Sequence, residues 1–404
     1  MPLYIFTYLE VFLLFSLAFF IIKAKQPSGN KQFTPLLNVP MFLIITGIVF
    51  RITLFPAAPT TSPDVYRYIW EGKIVTHGIN PYQVPPNAQQ LNQYHSSVWE
   101  KVGFKNMTSI YPPFAQFTFL LGFLLSGDSV WGLKIVYLFC EIITMIFLLK
   151  LLKLKGKNPD YLILYAWLPI PVMEYFINTH IDAAGIAFFI LFLYYIEKGN
   201  YKISAIFYAV SFLVKFYPII LFPLLFKKIG IKKLIPFTLI FLIITICCYV
   251  PFLTSDLAIK NTLATYLTRW EFNGSAFNLF KAIFNQNLAR ILCGFSLVIA
   301  IAAISFRYKD FINGTFGILL SYVIFATTLY PWYLGWIASI NPVINFYSVF
   351  SLLFTSNFSN FTPLGKVWQE YWWVLIIEYI PFYILLYTDL KSKYLQKKFN
   401  LSSS

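Results

Sequence analysis

Ser62-Pro63-Asp64-Val65-Tyr66-Arg67-Tyr68-Ile69-Trp70-Glu71-Gly72 begins a few residues after an apolar run that ends near Phe55. It opens the longest polar segment before the C-terminal tail. The run before it reads as a membrane-spanning helix. The stretch therefore marks where the chain leaves the bilayer, and it sets a carboxylate, Asp64, just beyond the exit.

Similar apolar runs recur on both sides of this stretch. They read as spans over 3–22, 36–55, 112–125, 131–152, 161–177, 183–196, 203–226, 234–253, 288–306, 314–329, 334–354 and 371–387. Of the 404 residues, 58% are hydrophobic and 12% are charged. An ordinary soluble domain carries about 25% charged residues. The expected fold is an all-α polytopic membrane protein, a single integral membrane domain over 1–404. The segment 3–22 has no basic region before it and no small-residue cleavage site, so it reads as a retained helix and not as a signal peptide.

A net charge of +15 raises the question of nucleic acid. Its distribution answers it. Lysines gather in short connections between the apolar runs: Lys23/Lys25/Lys31, Lys150/Lys153/Lys155/Lys157, Lys198/Lys202, Lys227/Lys228/Lys232/Lys233 and Lys391/Lys393/Lys397/Lys398. Arg307 and Lys309 add a smaller pair. This is the pattern of cytoplasmic loops in a membrane protein, so no nucleic-acid partner is expected. It puts Asp64 on the outer side and makes 56–111 the main extracytoplasmic loop, with 254–287 as a second.

The same rule does not close for 203–226, which has lysines at both ends and Lys215 and Pro218 in its middle. A re-entrant pair of short helices is predicted there, since irregular backbone at membrane depth must line protein or water. The run 334–354 is predicted to break near Pro342. No internal repeat is evident. Cys140, Cys247, Cys248 and Cys293 all lie in apolar stretches without Cys-x-x-Cys or Cys/His spacing, so neither a disulfide nor a zinc site is expected.

Several polar residues sit where only function or a partner justifies them. Asp64 has two readings: a general base toward an acceptor hydroxyl, or an N-terminal helix cap. Arg67 and Glu71 stand four apart and can bind substrate or pair on one helix face. Asn178-Thr179-His180-Ile181-Asp182 separates two apolar runs. Asn178, His180 and Asp182 suit sugar hydroxyls, or form an interfacial turn. Lys215 is an ammonium inside an apolar run and needs an anion, a lipid phosphate or an acidic neighbour such as Asp182 or Glu174, unless it snorkels. Arg269 is placed to clamp a phosphate or to pair with Glu271. Tyr330-Pro331-Trp332-Tyr333 is an aromatic belt or a wall for a sugar ring. Glu10, Glu141, Glu174 and Glu378 receive no role. No nucleotide-binding glycine pattern occurs, and no convincing metal-ligand spacing.

Taken together, Asp64 to Gly72, then Gly78-Ile79-Asn80-Pro81-Tyr82 and Tyr111-Pro112-Pro113, resemble the first outer loop of bacterial GT-C glycosyltransferases. The polyprenyl-phosphate-mannose-dependent α-mannosyltransferase type is the nearest in pattern. Asn178–Asp182, Val214-Lys215-Phe216-Tyr217-Pro218 and Pro331-Trp332-Tyr333 follow in the same order. Relatives often have histidine before Pro-Trp-Tyr; here it is Tyr330.

The resemblance implies a GT-C-like bundle, and the apolar runs give it about 11–13 transmembrane or re-entrant helices. It implies a multi-pass protein of the bacterial plasma membrane with its active site facing outward. A hexose, mannose by family default, would pass with inversion from a polyprenyl-phosphate donor to an acceptor hydroxyl on a glycan or glycolipid. Asp64 would be the base. Tyr66, Arg67, Glu71, Asn178, His180, Asp182, Lys215, Arg269, Tyr330 and Trp332 would bind substrate, with Lys215 and Arg269 toward the phosphate. No cofactor or metal is expected. The competing reading is a multi-pass transporter or flippase for a polar or lipid-linked substrate.

Overall fold

The computed structural model describes residues 2–24, 38–253, 258–364 and 369–402. The basic segment around Lys25 and Lys31, and the first residues of the second outer loop, lie outside the described residues. Within them the secondary structure is helical, apart from one isolated bridge between Phe272 and Thr328. Among the described residues, five helices are long and apolar enough to cross a membrane: Pro2–Ala24, Trp131–Leu154, Tyr217–Phe252, Gln286–Arg307 and Trp372–Leu395. Shorter apolar helices, among them Val39–Thr53, Pro113–Ser126, Tyr201–Val214 and Phe311–Phe325, complete the bundle. The protein is an all-α polytopic membrane protein.

Asp182–Glu197 is the axis of the bundle. It is apolar nearly all round and buried along most of its length, as a helix enclosed by others must be. It packs on Tyr201–Val214 and Trp131–Leu154. Gly185 admits the indole of Trp336: a Cβ there would stand 2.7 Å from that ring. The helix has 16 residues, so its ends lie about 24 Å apart. At one end, Glu197 accepts from Lys155 (3.0 Å) and Lys228 (2.7 Å), and Lys155 also reaches Asp310 (2.5 Å). The other end carries Asp182.

Charges buried among the apolar helices lock the path to the polar segment. Arg51 donates to Glu141 through Nε (3.0 Å) and Nη2 (2.7 Å), and through Nη1 to the carbonyls of Gly47 and Ala166. Tyr165 donates to the other Glu141 oxygen at 2.8 Å. Lys134 places its ammonium on the carbonyls of Leu54, Phe55 and Ala57 at 2.7–3.1 Å, just past the end of Val39–Thr53. A cation there satisfies orphan carbonyls and suits the negative end of the helix dipole.

Three breaks fall in or beside the long apolar runs. The run 203–226 breaks at Lys215: Tyr201–Val214 ends there, Lys215 is extended (φ −156°), and Pro218 opens a short 3-10 turn. The following stretch, Phe222–Tyr249, is two helices that meet inside the lysine cluster at 227–233, at the non-helical Gly230 (φ 70°, ψ 162°). A single glycine makes the break where a connection between two spans is expected. The run 334–354 does break, at Asn345 (φ 63°, left-handed), three residues beyond Pro342.

The outer segment is anchored by packing against the bundle. The Asp64–Thr76 helix is buried on most sides and packs against Pro113–Ser126. The contact is close because of Gly72, where a Cβ would fall 2.3 Å from the Phe119 carbonyl oxygen.

Candidate active site

Asp64 is the first residue of its helix, yet its carboxylate does not cap it. The N-cap position is Pro63, without a side-chain cap, and Ser62 Oγ accepts the Asp64 backbone N–H at 3.2 Å. The capping reading of Asp64 is therefore not realised. About a third of its side chain is exposed (33%). Burial nonetheless pushes the Asp64 carboxyl up to about 6. The Lys215 ammonium, the Ser62 hydroxyl and the Arg67 guanidinium pull it down, and Asp182 pushes it up. A carboxylate titrating there is well matched to accept a proton near neutral pH.

The turn before the axial helix brings the second group of candidates to Asp64. Thr179 is left-handed (φ 59°), an expensive conformation for a β-branched residue. It turns His180 inward, where the imidazole is fully buried with Nδ1 4.0 Å from Asp64 Oδ2. Burial, and then the Lys215 charge, hold the imidazole well below its usual pKa, so it is neutral. Asp182 is buried and takes three hydrogen bonds: Lys215 Nζ at 2.7 Å (Oδ1) and 2.9 Å (Oδ2), and Trp336 Nε1 at 2.8 Å. The Lys215 ammonium also stands 3.9 Å from the centroid of the Tyr333 ring. Lys215 thus faces the protein interior and does not snorkel.

Other candidates have different work in the structure. Asn178 uses its whole amide on protein groups. Its Oδ1 accepts the backbone N–H of Thr60 (2.9 Å) and Thr61 (3.0 Å). Its Nδ2 donates to Glu174 (2.9 Å) and to the Tyr4 hydroxyl (3.3 Å). It anchors the chain just ahead of Asp64, with no hydrogen-bonding capacity left for a sugar.

Arg67 and Glu71 form a buried pair at 2.5 Å. Arg67 also donates to the carbonyls of Phe104 and Met107, and Glu71 accepts from Ser109 and Gln116. The pair closes the outer segment on itself. Tyr66 lies over this core, with Lys101 5.1 Å from its ring centroid.

Trp332 stacks on His180 (3.8 Å between centroids, 13°) and on Tyr330 (4.5 Å, 7°); Tyr330 stacks in turn on Phe272 (4.4 Å, 18°). The faces of Trp332 and Tyr330 are covered by neighbouring rings. A sugar can meet their edges but cannot stack on them as the sequence led one to expect. Arg269 is exposed. Glu271, the partner considered for it, pairs with Lys281 and lies 4.0 Å from Arg290.

A model of the MptA_B family, described as alpha-(1->6)-mannopyranosyltransferase, N-terminal domain, matches residues 6–228, just over half of the chain. The chain belongs to that family. It is a glycosyltransferase, an α-mannosyltransferase that moves mannose, and the transporter reading gives way to an enzyme with a sugar donor and an acceptor. No curated protein matches the chain.

The matched part of the mannosyltransferase holds Asp64, the Asn178–Asp182 turn and Lys215. Arg269, Tyr330 and Trp332 lie beyond it. Three more residues complete the site: Glu174, which holds Asn178; Trp336, which sequence reasoning passed over and which holds Asp182; and Tyr333, which flanks Lys215. Glu174 was within reach, since it stands one helical turn before Asn178. Trp336 was not, because its contact with Asp182 spans 154 residues of chain.

Proposed function

We propose that the mannosyltransferase takes mannose from a polyprenyl-phosphate donor and transfers it with inversion to an extracytoplasmic acceptor hydroxyl, with Asp64 as general base. The observation that carries this reading is the Asp64 carboxylate: partly open, not used as a cap, and set beside the Lys215–Asp182 pair.

The step is a single displacement. The acceptor oxygen forms a bond to the anomeric carbon from the face opposite the phosphate. Its proton passes to Asp64. The bond from the anomeric carbon to the phosphate oxygen breaks, and its electron pair leaves with polyprenyl phosphate. That phosphate gains negative charge as it departs, so a fixed cation lowers the barrier. Lys215 is the inner candidate for this and Arg269 the outer one.

Polyprenyl-phosphate mannose and guanosine diphosphate mannose, supplied separately to the purified protein in detergent, test the donor. Transfer is expected from the lipid donor. Transfer from the nucleotide sugar alone overturns the reading.

The face of action follows from the two ends of the axial helix. Lysines cluster at the Glu197 end and Asp64 lies at the Asp182 end, which supports a plasma-membrane enzyme with its site outward, the 56–111 and 254–287 segments lying on that side. In a background lacking the native cysteines, Gln89→Cys is expected to react with an impermeant maleimide in intact cells. Lys391→Cys should react only after permeabilisation. Labelling of both from the same side removes this topology.

A further inference from the structure

His180 is held in an arrangement that packing alone does not explain. It is fully buried, and neither ring nitrogen has a hydrogen-bond partner among the described residues. Buried polar atoms left without partners are rare and costly. The preceding Thr179 adds a left-handed β-branched backbone and its own unpartnered hydroxyl. Strain and unmet hydrogen bonds at one turn are features of a functional site.

The surroundings give the imidazole a direction. Nε2 faces Glu174 Oε2 at 3.6 Å, and Nδ1 faces Asp64 Oδ2 at 4.0 Å. Both Glu174 oxygens already accept hydrogen bonds, from the Tyr4 hydroxyl (2.8 Å) and the Asn178 amide (2.9 Å). This marks Glu174 as an acceptor, which draws the imidazole proton to Nε2 and leaves a lone pair on Nδ1. Ring stacking on Trp332 fixes the plane. A lone pair on Nδ1, 4.0 Å from Asp64 Oδ2, repels the ionised carboxylate and welcomes the protonated one.

We propose that His180 is a positioning residue for the base: Glu174 holds its Nε2–H, and its bare Nδ1 accepts a hydrogen bond from Asp64 once Asp64 has taken the acceptor's proton. This rests on the reading of Asp64 as the base. No proton moves beyond Asp64 in the transfer step; the imidazole stays neutral, and the protonated carboxyl returns its proton to solvent through its exposed edge. Catalytic hydrogen bonds are often long before substrate binds, so closing about 1 Å on binding is ordinary.

The other charged or titratable groups around the pair are few. Lys215 lies near both and is bound to Asp182; Arg67, Tyr68, Tyr111, Tyr266 and Tyr330 surround Asp64; and Tyr4 lies behind Glu174. Among these the lysine opposes an imidazolium, which keeps Nδ1 an acceptor.

The test is the pH dependence of kcat/KM in His180→Asn and His180→Gln. The asparagine amide falls near the place of Nδ1, and the glutamine amide near that of Nε2. His180→Asn is expected to keep the wild-type acid limb. His180→Gln is expected to move it down by about one pH unit, the worth of one hydrogen bond, with a plateau loss below about tenfold.

His180→Leu, which removes both ring nitrogens, should shift the limb the same way; it serves if His180→Gln does not fold. An unmoved limb in whichever of these two variants folds overturns the proposal and leaves His180 as packing for Trp332. Full activity of Asp64→Asn instead overturns the base reading itself, so the two failures are told apart.

Discussion

Asp64→Asn is expected to lower mannosyl transfer by about 10²–10⁴-fold, the usual loss when a general base is removed. The protein should otherwise stay intact. Asp64 caps no helix N–H and makes no direct ion pair among the described residues, so an amide of the same shape removes little that holds the fold. The pH profile of the wild type makes the same claim independently. A base works only when deprotonated, and burial puts the Asp64 carboxyl at about 6. Transfer should therefore be full well above pH 6 and fall as the pH drops through it. Asp64→Asn should show only residual activity without that limb. Wild-type rates in Asp64→Asn, at unchanged expression and thermal stability, remove Asp64 from the chemistry.

How far this site could be read in the sequence depends on the range of each interaction. The membrane class, the outer segment and the Asp64 helix were legible, because hydropathy and helix starts are local signals. So was the Asn178–Asp182 turn, since three polar side chains between apolar runs demand partners. The identity of the partners was not. Asn178 has the chemistry of a sugar ligand, and only the fold shows its amide spent on Thr60, Thr61, Glu174 and Tyr4. The stack of Trp332 between His180 and Tyr330 joins segments about 150 residues apart in sequence, so covered ring faces cannot be read from Pro331-Trp332-Tyr333.

Arg51 and Glu141 illustrate a signal that was present but unpaired. Each is an ionisable residue inside an apolar run, and each requires a partner at membrane depth. The sequence left Glu141 unassigned; the fold answers it with Arg51 at 2.7 Å across 90 residues. The lysine cluster at 227–233 marks a real break between helices. It flanks Gly230, where two helices meet, so the break is a single glycine and not a loop of several residues.

Lys215→Met is expected to reduce turnover with the lipid-phosphate donor by about 10²–10³-fold, the typical loss of a charge contact made in the transition state. The structure supplies a second route to the same loss. Lys215 neutralises Asp182, whose side chain is 1% exposed; without the ammonium, that carboxylate keeps only Trp336 and stands uncompensated near Asp64. Breaking one side of a buried pair typically destabilises by about 3–5 kcal/mol, so thermal stability has to be followed beside activity.

The double variant Lys215→Met/Asp182→Asn separates the two routes. If Lys215 serves only to balance Asp182, removing both charges should restore stability and most of the turnover. If it also receives the departing phosphate, stability should return while turnover stays low. Arg269→Met is the outer comparison: its side chain is exposed, and a loss as deep as that of Lys215→Met would mean that the second outer segment closes over the donor. Near-wild-type kinetics in a folded Lys215→Met protein would reduce Lys215 to a structural counter-ion and leave Arg269 as the phosphate's cation.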